Sequence, residues 1–218
     1  MKTLIAIPCL DTVNAEFFRS LLEMEKPGVV GYQITVQTLI YHARNEIALY
    51  ACENDFDRVL WLDSDMVFPK DTMIRLSEDM EGREFVSGLY FKRKPPYSPT
   101  IFAKCGTVEV EPGQYQATAA VYDKYPDGIF PIAACGFGCV MTTTDLIKRV
   151  MDKYGMPFSP MYGFGEDLTF CMRVAQTGGT MYCDSRIKCG HIATFISTEE
   201  TWKNADLGRR EACPPNNN

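Results

Sequence analysis

Two aspartates separated by one residue, Asp63 and Asp65, end an apolar run in the segment WLDSDMVFP at residues 61–69. Carboxylate oxygens are hard ligands and suit Mg²⁺ or Mn²⁺. A divalent ion held in this way commonly bridges the phosphates of a nucleotide ligand and offsets the charge that develops on them. The alternative is an acidic turn that caps the next helix. The spacing alone does not decide, because Asp55-Phe56-Asp57 has the same spacing eight residues earlier.

The position of each aspartate pair along the chain separates the two. Residues 58–62, RVLWL, predict a strand that is apolar at four successive positions, as is typical of a parallel sheet covered on both faces. Ligands of such sheets bind beyond the carboxyl ends of the strands. Asp63 and Asp65 follow that end, whereas Asp55 and Asp57 precede the amino end. We therefore predict the metal site at Asp63 and Asp65, the only one of these two pairs on the ligand side.

A further acidic pair, Glu166-Asp167, begins a predicted helix directly after Gly163-Phe164-Gly165. The positive end of the helix dipole favours acids in the first turn whether or not they have a role. Glu78-Asp79 is a comparable doublet without an assigned role, so the doublet alone is a weak signal. The functional interpretation is a general base, because a carboxylate kept ionised there can take a proton from an attacking hydroxyl.

Three other features carry alternative interpretations. His191, one of two histidines, is either structural or completes a carboxylate metal site, since imidazole suits manganese-type ions. Gly136 and Gly138 either make a simple turn or let the backbone approach a substrate closely. The basic residues 92–94 either meet phosphate or form a solvated loop. The sequence contains no G-x-G-x-x-G and no P-loop motif, which excludes the dinucleotide and P-loop classes.

Composition narrows the class of protein. The 218 residues suffice for one filled core, in one lobe or two, and a content of 46% apolar and 23% charged residues is typical of a globular chain. A formal charge of −6 argues against a protein that tracks nucleic-acid phosphates. No apolar stretch reaches the roughly 20 residues of a membrane span, and the N-terminus lacks a signal-peptide pattern. The nine scattered cysteines form no zinc knuckle and indicate buried reduced thiols in a cytoplasmic protein.

Strand and helix patterns alternate along the first hundred residues. Strands are predicted at 2–8, 29–36, 58–62 and 84–91, and helices at 13–25, 42–55 and 70–80. An irregular connection at 92–100 and a hairpin excursion at 101–122 follow. Strand, glycine turn, strand and helix are predicted within 132–150, then a helix at 164–179 and a strand at 181–185. This order predicts an α/β fold with a doubly wound, mostly parallel sheet and a small antiparallel excursion.

The order of these motifs resembles that of the type A glycosyltransferase fold, and specifically the family-two inverting nucleotide-sugar transferases. LWLDSDMVFP and GFGEDLTFCMRVAQTG carry most of the resemblance, supported by VSGLYFKRKPPY and CGFGCVM, and it covers about residues 3–195. It implies a single glycosyltransferase domain over 1–198, with a nucleotide-binding half at 1–100 and an acceptor half at 101–198. Residues 199–218 would be a C-terminal tail.

The resemblance also implies roles for individual residues. On the metal side, Mn²⁺ or Mg²⁺ would be held by Asp65 and His191, with Asp63 on the ribose or a metal-bound water. The nucleoside-diphosphate sugar would lie near Pro8, Asp11, Arg44, Ser64 and Gly136, and Asp167 would be the base with Glu166 beside it. The family's nucleoside-binding acid often follows the second strand, where this sequence has Gln37 and Thr38 instead of an acid, whereas Asp11 follows the first strand. The acceptor stays open between a glycan, a protein, a lipid-linked sugar and a modified nucleobase.

Two other functions compete with glycosyl transfer. Residues 63–67, DSDMV, also fit the D-x-D-x-[TV] pattern of haloacid-dehalogenase phosphatases, in which Asp63 would be the nucleophile. That motif normally follows the first strand, whereas here it follows the third predicted strand. A module that binds sugar nucleotides or divalent metal without turnover is the non-enzymatic alternative.

Overall fold

A computed structural model describes residues 1–193 of the chain. Five helices lie within this range: α1 (Ala15–Glu23), α2 (Ile40–Glu53), α3 (Thr72–Asp79), α4 (Thr144–Tyr154) and α5 (Glu166–Gln176). The strands are β1 (Lys2–Pro8), β2 (Val29–Thr35), β3 (Arg58–Leu62), β4 (Met66–Val67), β5 (Phe85–Leu89), β6 (Ile101–Glu111), β7 (Gln114–Val121), β8 (Ile129–Ile132), β9 (Ala134–Cys135), β10 (Cys139–Thr143), β11 (Met181–Lys188) and β12 (Gly190–His191). The predicted domain end at 198 and the tail at 199–218 lie outside the described residues.

The central sheet has seven strands in the order β2-β1-β3-β10-β5-β11-β8. The pairs β1–β2, β1–β3 and β5–β11 are parallel, whereas β3–β10, β10–β5 and β11–β8 are antiparallel. The fold is α/β, as predicted. Because the sheet is mixed, the predicted doubly wound, mostly parallel arrangement is not confirmed.

The path of the chain after β5 explains the mixed sheet. Parallel neighbours need a crossover that returns the chain to the starting end, whereas a direct return gives an antiparallel pair. After β5 the chain forms a separate three-stranded sheet in the order β7-β6-β9, which is the predicted antiparallel excursion, and contributes β8 to the edge of the central sheet. A short turn at 136–138 then leads into β10, which therefore runs backwards between β3 and β5.

Helices cover both faces of the central sheet. Apolar residues of α2, α4 and α5 pack with Leu4, Ala6, Val59 and Trp61 on one face. Residues of α1 and α3 pack with Ile5, Ile7, Leu60 and Leu62 on the other. This double cover is why β1 and β3 lack the alternation of a half-exposed strand. The buried Trp61 indole also donates to Thr142 Oγ1 at 3.0 Å, which ties β3 to β10.

Three short strands differ from the sequence-based expectation. The edge strand β8 contains the exposed Pro131, and proline weakens a strand pattern because it cannot donate to a ladder. The two-residue strands β4 and β12 pair antiparallel, with His191 opposite Met66. Strands of this length carry no periodicity that sequence analysis can detect.

The cysteines and the helices of the described residues bear on two further questions, the state of the thiols and the presence of a long apolar helix. All eight cysteines within residues 1–193 are free thiols, and six of them are buried. In the same range no helix has the length and apolar character needed to span a bilayer. The cytoplasmic location inferred from the cysteines stays a prediction.

Candidate functional site

The structure places the two D-x-D segments at opposite ends of β3. At the carboxyl end, a turn is closed by the Met66 amide, which donates to the Asp63 carbonyl at 3.2 Å, and the Asp63 amide donates to the Gly138 carbonyl at 3.2 Å. At the amino end, Asp57 Oδ2 accepts from the Lys2 amide at 2.6 Å. Only the later pair borders the cleft described below.

The carboxyl ends of β1 and β3 open into a cavity of about 410 Å³, which we call the first cavity. It is lined by residues of α2 and α5 and of five strand ends or loops, at 8–10, 38–39, 63–65, 90 and 137. They include Pro8, Thr38, Arg44, Asp63, Ser64, Asp65, Tyr90, Phe137, Glu166 and Asp167. Most of the residues assigned to donor or metal by sequence analysis therefore lie around one space.

Arg44, from α2, forms the charged floor of the first cavity. Its side chain is 2% exposed, with Nη2 2.7 Å from Asp63 Oδ1 and Nε 3.4 Å from Glu166 Oε1. Burial opposes its charge, but the carboxylates of Asp63, Glu166 and Asp167 outweigh burial and raise the pKa of Arg44. Among the described residues, its buried Nη1 has no hydrogen-bond partner. A buried donor of this kind is costly unless something accepts from it, so Nη1 is suited to a ligand oxygen.

The β4–β12 pair brings His191 to the aspartate turn. The Ile192 amide donates to the Asp65 carbonyl at 2.8 Å, and His191 Nε2 lies 3.4 Å from Asp65 Oδ2. His191 Nδ1 lies 2.9 Å from the Phe91 carbonyl, which can only accept, so Nδ1 carries a proton. The Phe91 carbonyl thereby holds the ring so that Nε2 faces Asp65, as a carbonyl that accepts from the other ring nitrogen orients a metal-binding histidine.

Asp65 contacts an arginine and a histidine. Arg93 Nη1 lies 2.7 Å from Asp65 Oδ2, the same oxygen that faces His191. Burial alone would raise the pKa of Asp65, but the hydrogen bond from His191 and the charges of His191 and Arg93 lower it. The hydrogen bond to Asp65 in turn raises the pKa of His191 against the effect of burial.

A divalent ion at Asp65 and His191, which would have to take most of its ligands from elsewhere, stays a prediction. Within residues 1–193, no group of three or more histidine, cysteine or acidic side chains could enclose a metal. Asp65 and His191 offer an oxygen and a nitrogen ligand, and Mg²⁺-type ions often bind through one or two side chains plus phosphates and water. Asp63 Oδ1 is engaged by Arg44, so a metal role for Asp63 stays a prediction.

Asp167 stands at the amino end of α5, where Gly165 is the N-cap residue. The Leu168 amide donates to Asp167 Oδ1 at 2.7 Å. Burial, followed by the charge of Glu166, raises the pKa of Asp167 to about 6, although the Leu168 amide and Arg44 partly oppose this. A carboxylate with a pKa near 6 is ionised at neutral pH and basic enough to accept a proton.

The glycine turn at 136–138 packs against Tyr90. A Cβ on Gly136 would lie 2.2 Å from the Tyr90 hydroxyl oxygen, and one on Gly138 would lie 2.8 Å from the ring. The Gly138 amide donates to the same hydroxyl at 3.1 Å, and burial raises the pKa of Tyr90 well above its ordinary value. These glycines therefore allow a close approach of Tyr90. Gly136 does not line the first cavity but a neighbouring one, which we call the second cavity and which Tyr90, Phe102 and Asp167 also line.

Asp11, like Gly136, is a donor-site candidate that the structure leaves outside the first cavity. It lines an adjoining cavity together with Gln37, Thr38 and His42. Thr38 also borders the first cavity, as do Pro8 and Ser64. A contact between Asp11 and the nucleoside stays a prediction.

Two solved structures resemble the chain. The crystal structure of A197 from STIV covers 90% of this chain and 87% of its own at 21% identity and a TM-score of 0.61. The crystal structure of GalNAc-T7 with UDP, GalNAc and Mn²⁺ matches 89% of this chain at 10% identity and a TM-score of 0.59. This chain spans 44% of the GalNAc-T7 chain. No protein-family model and no curated protein matches the sequence.

The fold is like that of a type A glycosyltransferase. At these identities the likeness concerns the fold alone, and it does not extend to family two. The glycosyltransferase-like fold also reveals two site residues to which sequence analysis gave no specific role. Tyr90 follows the buried strand β5 as Asp63 follows β3, which is a position that could have identified it. The Arg93 contact with Asp65 depends on the folding of an irregular loop, and no sequence pattern reports it.

Proposed function

We propose that this protein is a metal-dependent glycosyltransferase that moves a sugar from a nucleoside-diphosphate sugar to an acceptor hydroxyl, with the inversion implied by the family-two resemblance. The observation that carries the proposal is the convergence of Asp63, Asp65 and Asp167 on one cavity above the buried Arg44. GalNAc-T7, which has a similar fold, was crystallised with UDP, GalNAc and Mn²⁺. This favours a sugar nucleotide as the ligand class.

The donor occupies the first cavity in this proposal. Arg44 Nη1, which has no partner among the described residues, donates to an oxygen of the nucleotide. Pro8 and Ser64 border the nucleoside, and Asp63, fixed by Arg44, contacts the ribose. Asp65 and His191 would hold Mn²⁺ or Mg²⁺, which supplies positive charge that offsets the charge of the leaving diphosphate.

Asp167 is the base of the transfer step. It takes the proton of the acceptor hydroxyl, and the acceptor oxygen forms a bond to the anomeric carbon on the face opposite the leaving group. The bond from that carbon to the diphosphate oxygen breaks, and the nucleoside diphosphate leaves with the electron pair. The raised pKa of Asp167, about 6, matches this role near neutral pH. Glu166 fixes Arg44 beside the base.

The phosphatase alternative has less support. Its nucleophile would be Asp63, but Asp63 Oδ1 lies 2.7 Å from the buried Arg44 guanidinium. An ion pair of this kind withdraws electron density from the attacking oxygen and fixes it in place. A binding module without turnover differs from the enzyme only in the outcome of the experiment below.

The experiment is a thermal-shift screen of nucleotide sugars with and without Mn²⁺, followed by product analysis. A ligand that binds only the native state raises apparent stability, by about 2.7 kcal/mol at a concentration 100 times its Kd. We expect a shift for one donor that needs Mn²⁺, and release of nucleoside diphosphate from it. Phosphate release from simple phosphomonoesters would favour the phosphatase. Binding without any product would leave the binding module.

A further inference from the structure

A second cavity, of about 550 Å³, lies beside the first and shares Tyr90 and Asp167 with it. Phe102 and Leu168 contribute apolar surface, and the basic residues 92–94 contribute positive charge. An acceptor that approaches Asp167 from the side away from the donor has to occupy this space. Its volume falls in the range of small-molecule sites, roughly 300–1,000 Å³.

The two cavities carry opposite charge. Among the described residues, the first cavity is lined by four carboxylates and by Arg44 as its only lysine or arginine. The second has Lys92, Arg93 and Lys94 and a single carboxylate, Asp167. The whole chain has a formal charge of −6, so this concentration of positive charge runs against the average surface. This positive charge would attract an anionic acceptor, whereas it would not attract a neutral one.

The segment that carries these cations is held by main-chain hydrogen bonds. The Lys92 amide donates to the Ser98 carbonyl at 2.9 Å, and the Tyr97 amide donates to the Lys94 carbonyl at 2.9 Å. Arg93 is engaged by Asp65. Within residues 1–193, neither Lys92 nor Lys94 forms an ion pair with a carboxylate. Two ammonium groups at this cavity are therefore available to a ligand.

We propose that the second cavity binds an acceptor that carries a phosphate ester next to its reactive hydroxyl. Lys92 and Lys94 contact the phosphate as point charges, Phe102 and Leu168 cover the carbon skeleton, and the hydroxyl faces Asp167. The ligand is a small phosphorylated polyol or sugar unit, either free in solution or displayed as a lipid headgroup. The role of this ligand as an acceptor rests on the proposed function, whereas the binding of phosphate at this cavity does not.

The first test measures binding without turnover. Glycerol 3-phosphate and glycerol are titrated calorimetrically into the full chain with chelator present, so that no divalent ion can draw phosphate to the first cavity. We expect glycerol 3-phosphate to bind, glycerol not to bind, and K92A/K94A to bind at least about tenfold more weakly, because both charge-assisted contacts with the phosphate are lost. K92R/K94R should retain most of the affinity.

The matched control is K148A, because Lys148 lines a cavity near the amino ends of the strands, with Asp55 and Asp57. Its affinity for glycerol 3-phosphate should equal that of the unsubstituted protein. Equal affinities of the unsubstituted protein and K92A/K94A would overturn the site, as would the absence of any binding. Melting temperatures of all variants separate lost contacts from lost folding.

The second test asks whether the bound phosphate compound is an acceptor. The rate at which nucleoside diphosphate is released from the donor is measured after separate additions of glycerol, glycerol 3-phosphate, phosphatidylglycerol vesicles, phosphatidylcholine vesicles and a single-stranded oligonucleotide. Faster release with glycerol 3-phosphate identifies a soluble source, and faster release with phosphatidylglycerol vesicles alone identifies a lipid source. Stimulation only by a single-stranded oligonucleotide would overturn the small phosphate ester. Donor hydrolysis without acceptor reports the proposed function separately, so phosphate binding with no hydrolysis or transfer would remove the acceptor role and keep the anion site.

Discussion

Asp63-Ser64-Asp65 and Asp55-Phe56-Asp57 lie at the two ends of β3 and share the same spacing of acids. At the amino end, the Asp57 carboxylate accepts from the Lys2 main-chain amide at 2.6 Å, and the Asp57 carbonyl accepts from the Thr144 amide at 3.1 Å. At the carboxyl end, the two carboxylates are held by the side chains of Arg44, Arg93 and His191. The partners differ in kind, although the acids do not.

That difference teaches how identical short motifs separate into structural and functional ones. Main-chain donors are fixed by the fold, so the Asp57 carboxylate joins β1 to the amino end of β3 permanently. Cationic side chains can turn towards a ligand or yield their place to a metal ion. At the two ends of β3, the carboxylates of Asp63 and Asp65, which are satisfied by side chains at the first cavity, are thus available for exchange, whereas that of Asp57 is not.

The largest effect that would test this contrast is expected from Asp167→Asn in the same cleft. A positioned general base contributes about 10²–10⁴-fold to the rate, and asparagine cannot accept the acceptor proton. We expect kcat to fall by that factor while donor affinity, measured by calorimetry, stays within about threefold. Asp55→Asn at the exposed amino end of β3 is the control and should keep full turnover. Comparable turnover of Asp167→Asn would remove the base.

A smaller effect is expected from Asp65→Asn on metal affinity. The amide oxygen is neutral and a weaker ligand than a carboxylate, and Arg93 would lose its partner at 2.7 Å. We expect Mn²⁺ to bind about 10–100-fold more weakly, the range seen when metal sites lose a supporting group. Electron paramagnetic resonance of free Mn²⁺ measures this without turnover.

The control for Asp65→Asn is Asp57→Asn, which changes the other copy of the motif. Its Mn²⁺ affinity should match that of the unsubstituted protein, because Asp57 lies outside the first cavity and the asparagine carbonyl oxygen can still accept from the Lys2 amide, as a weaker acceptor than a carboxylate. Equal losses of metal affinity in both variants would abolish the distinction between the two ends of β3.

Sequence alone predicted the parallel part of the fold and the side of the sheet that carries the acids. The continuous apolar run of β3 indicated a strand covered on both faces, and its end fixed the position of Asp63. The insertion of β10 was not predictable from periodicity. Val140 and Met141 are successive and both buried, and a continuous apolar run does not indicate in which direction a strand runs. Strand direction depends on where the chain enters the sheet, which is a property of the whole excursion between β5 and β10.

Contacts within the site were predictable only where they followed from strand ends. The approach of His191 to Asp65 depends on the two-residue pair β4–β12, and the fit of Tyr90 depends on the missing side chains at Gly136 and Gly138. Gly136 was assigned to the donor from the resemblance, and its position beside Tyr90 in the second cavity reflects packing that no local pattern encodes.

The pH dependence of transfer distinguishes Asp167 in the cleft from an acid outside it. The pKa of Asp167 is raised to about 6 by burial and by Glu166, so its basic form is lost as pH falls through 6. We expect kcat to fall about tenfold for each pH unit below that value and to level off above about pH 7. The control is Asp79→Asn, because the pKa of Asp79 is also about 6 but Asp79 lines neither cavity. The fall in kcat below pH 6 should persist in Asp79→Asn. Its disappearance in that variant would mean that the titrating group is Asp79 and not Asp167.

The smallest effect is expected for the stability of Asp79→Asn. Burial, then a hydrogen bond to Asp184 and its charge, raises the pKa of Asp79, so the native state binds a proton more tightly than the unfolded chain between about pH 4 and 6. Stability from this group is therefore present at low pH and lost as pH rises through 6. Asparagine keeps a donor for Asp184 at all pH values, so we expect a gain on the order of 1 kcal/mol at pH 7.5 and almost none at pH 4. Denaturant unfolding at both pH values measures it, with the exposed Asp55→Asn changing stability by less than about 0.5 kcal/mol. An equal gain at both pH values would mean that asparagine acts through packing. The raised pKa of Asp79 would then make no contribution to stability.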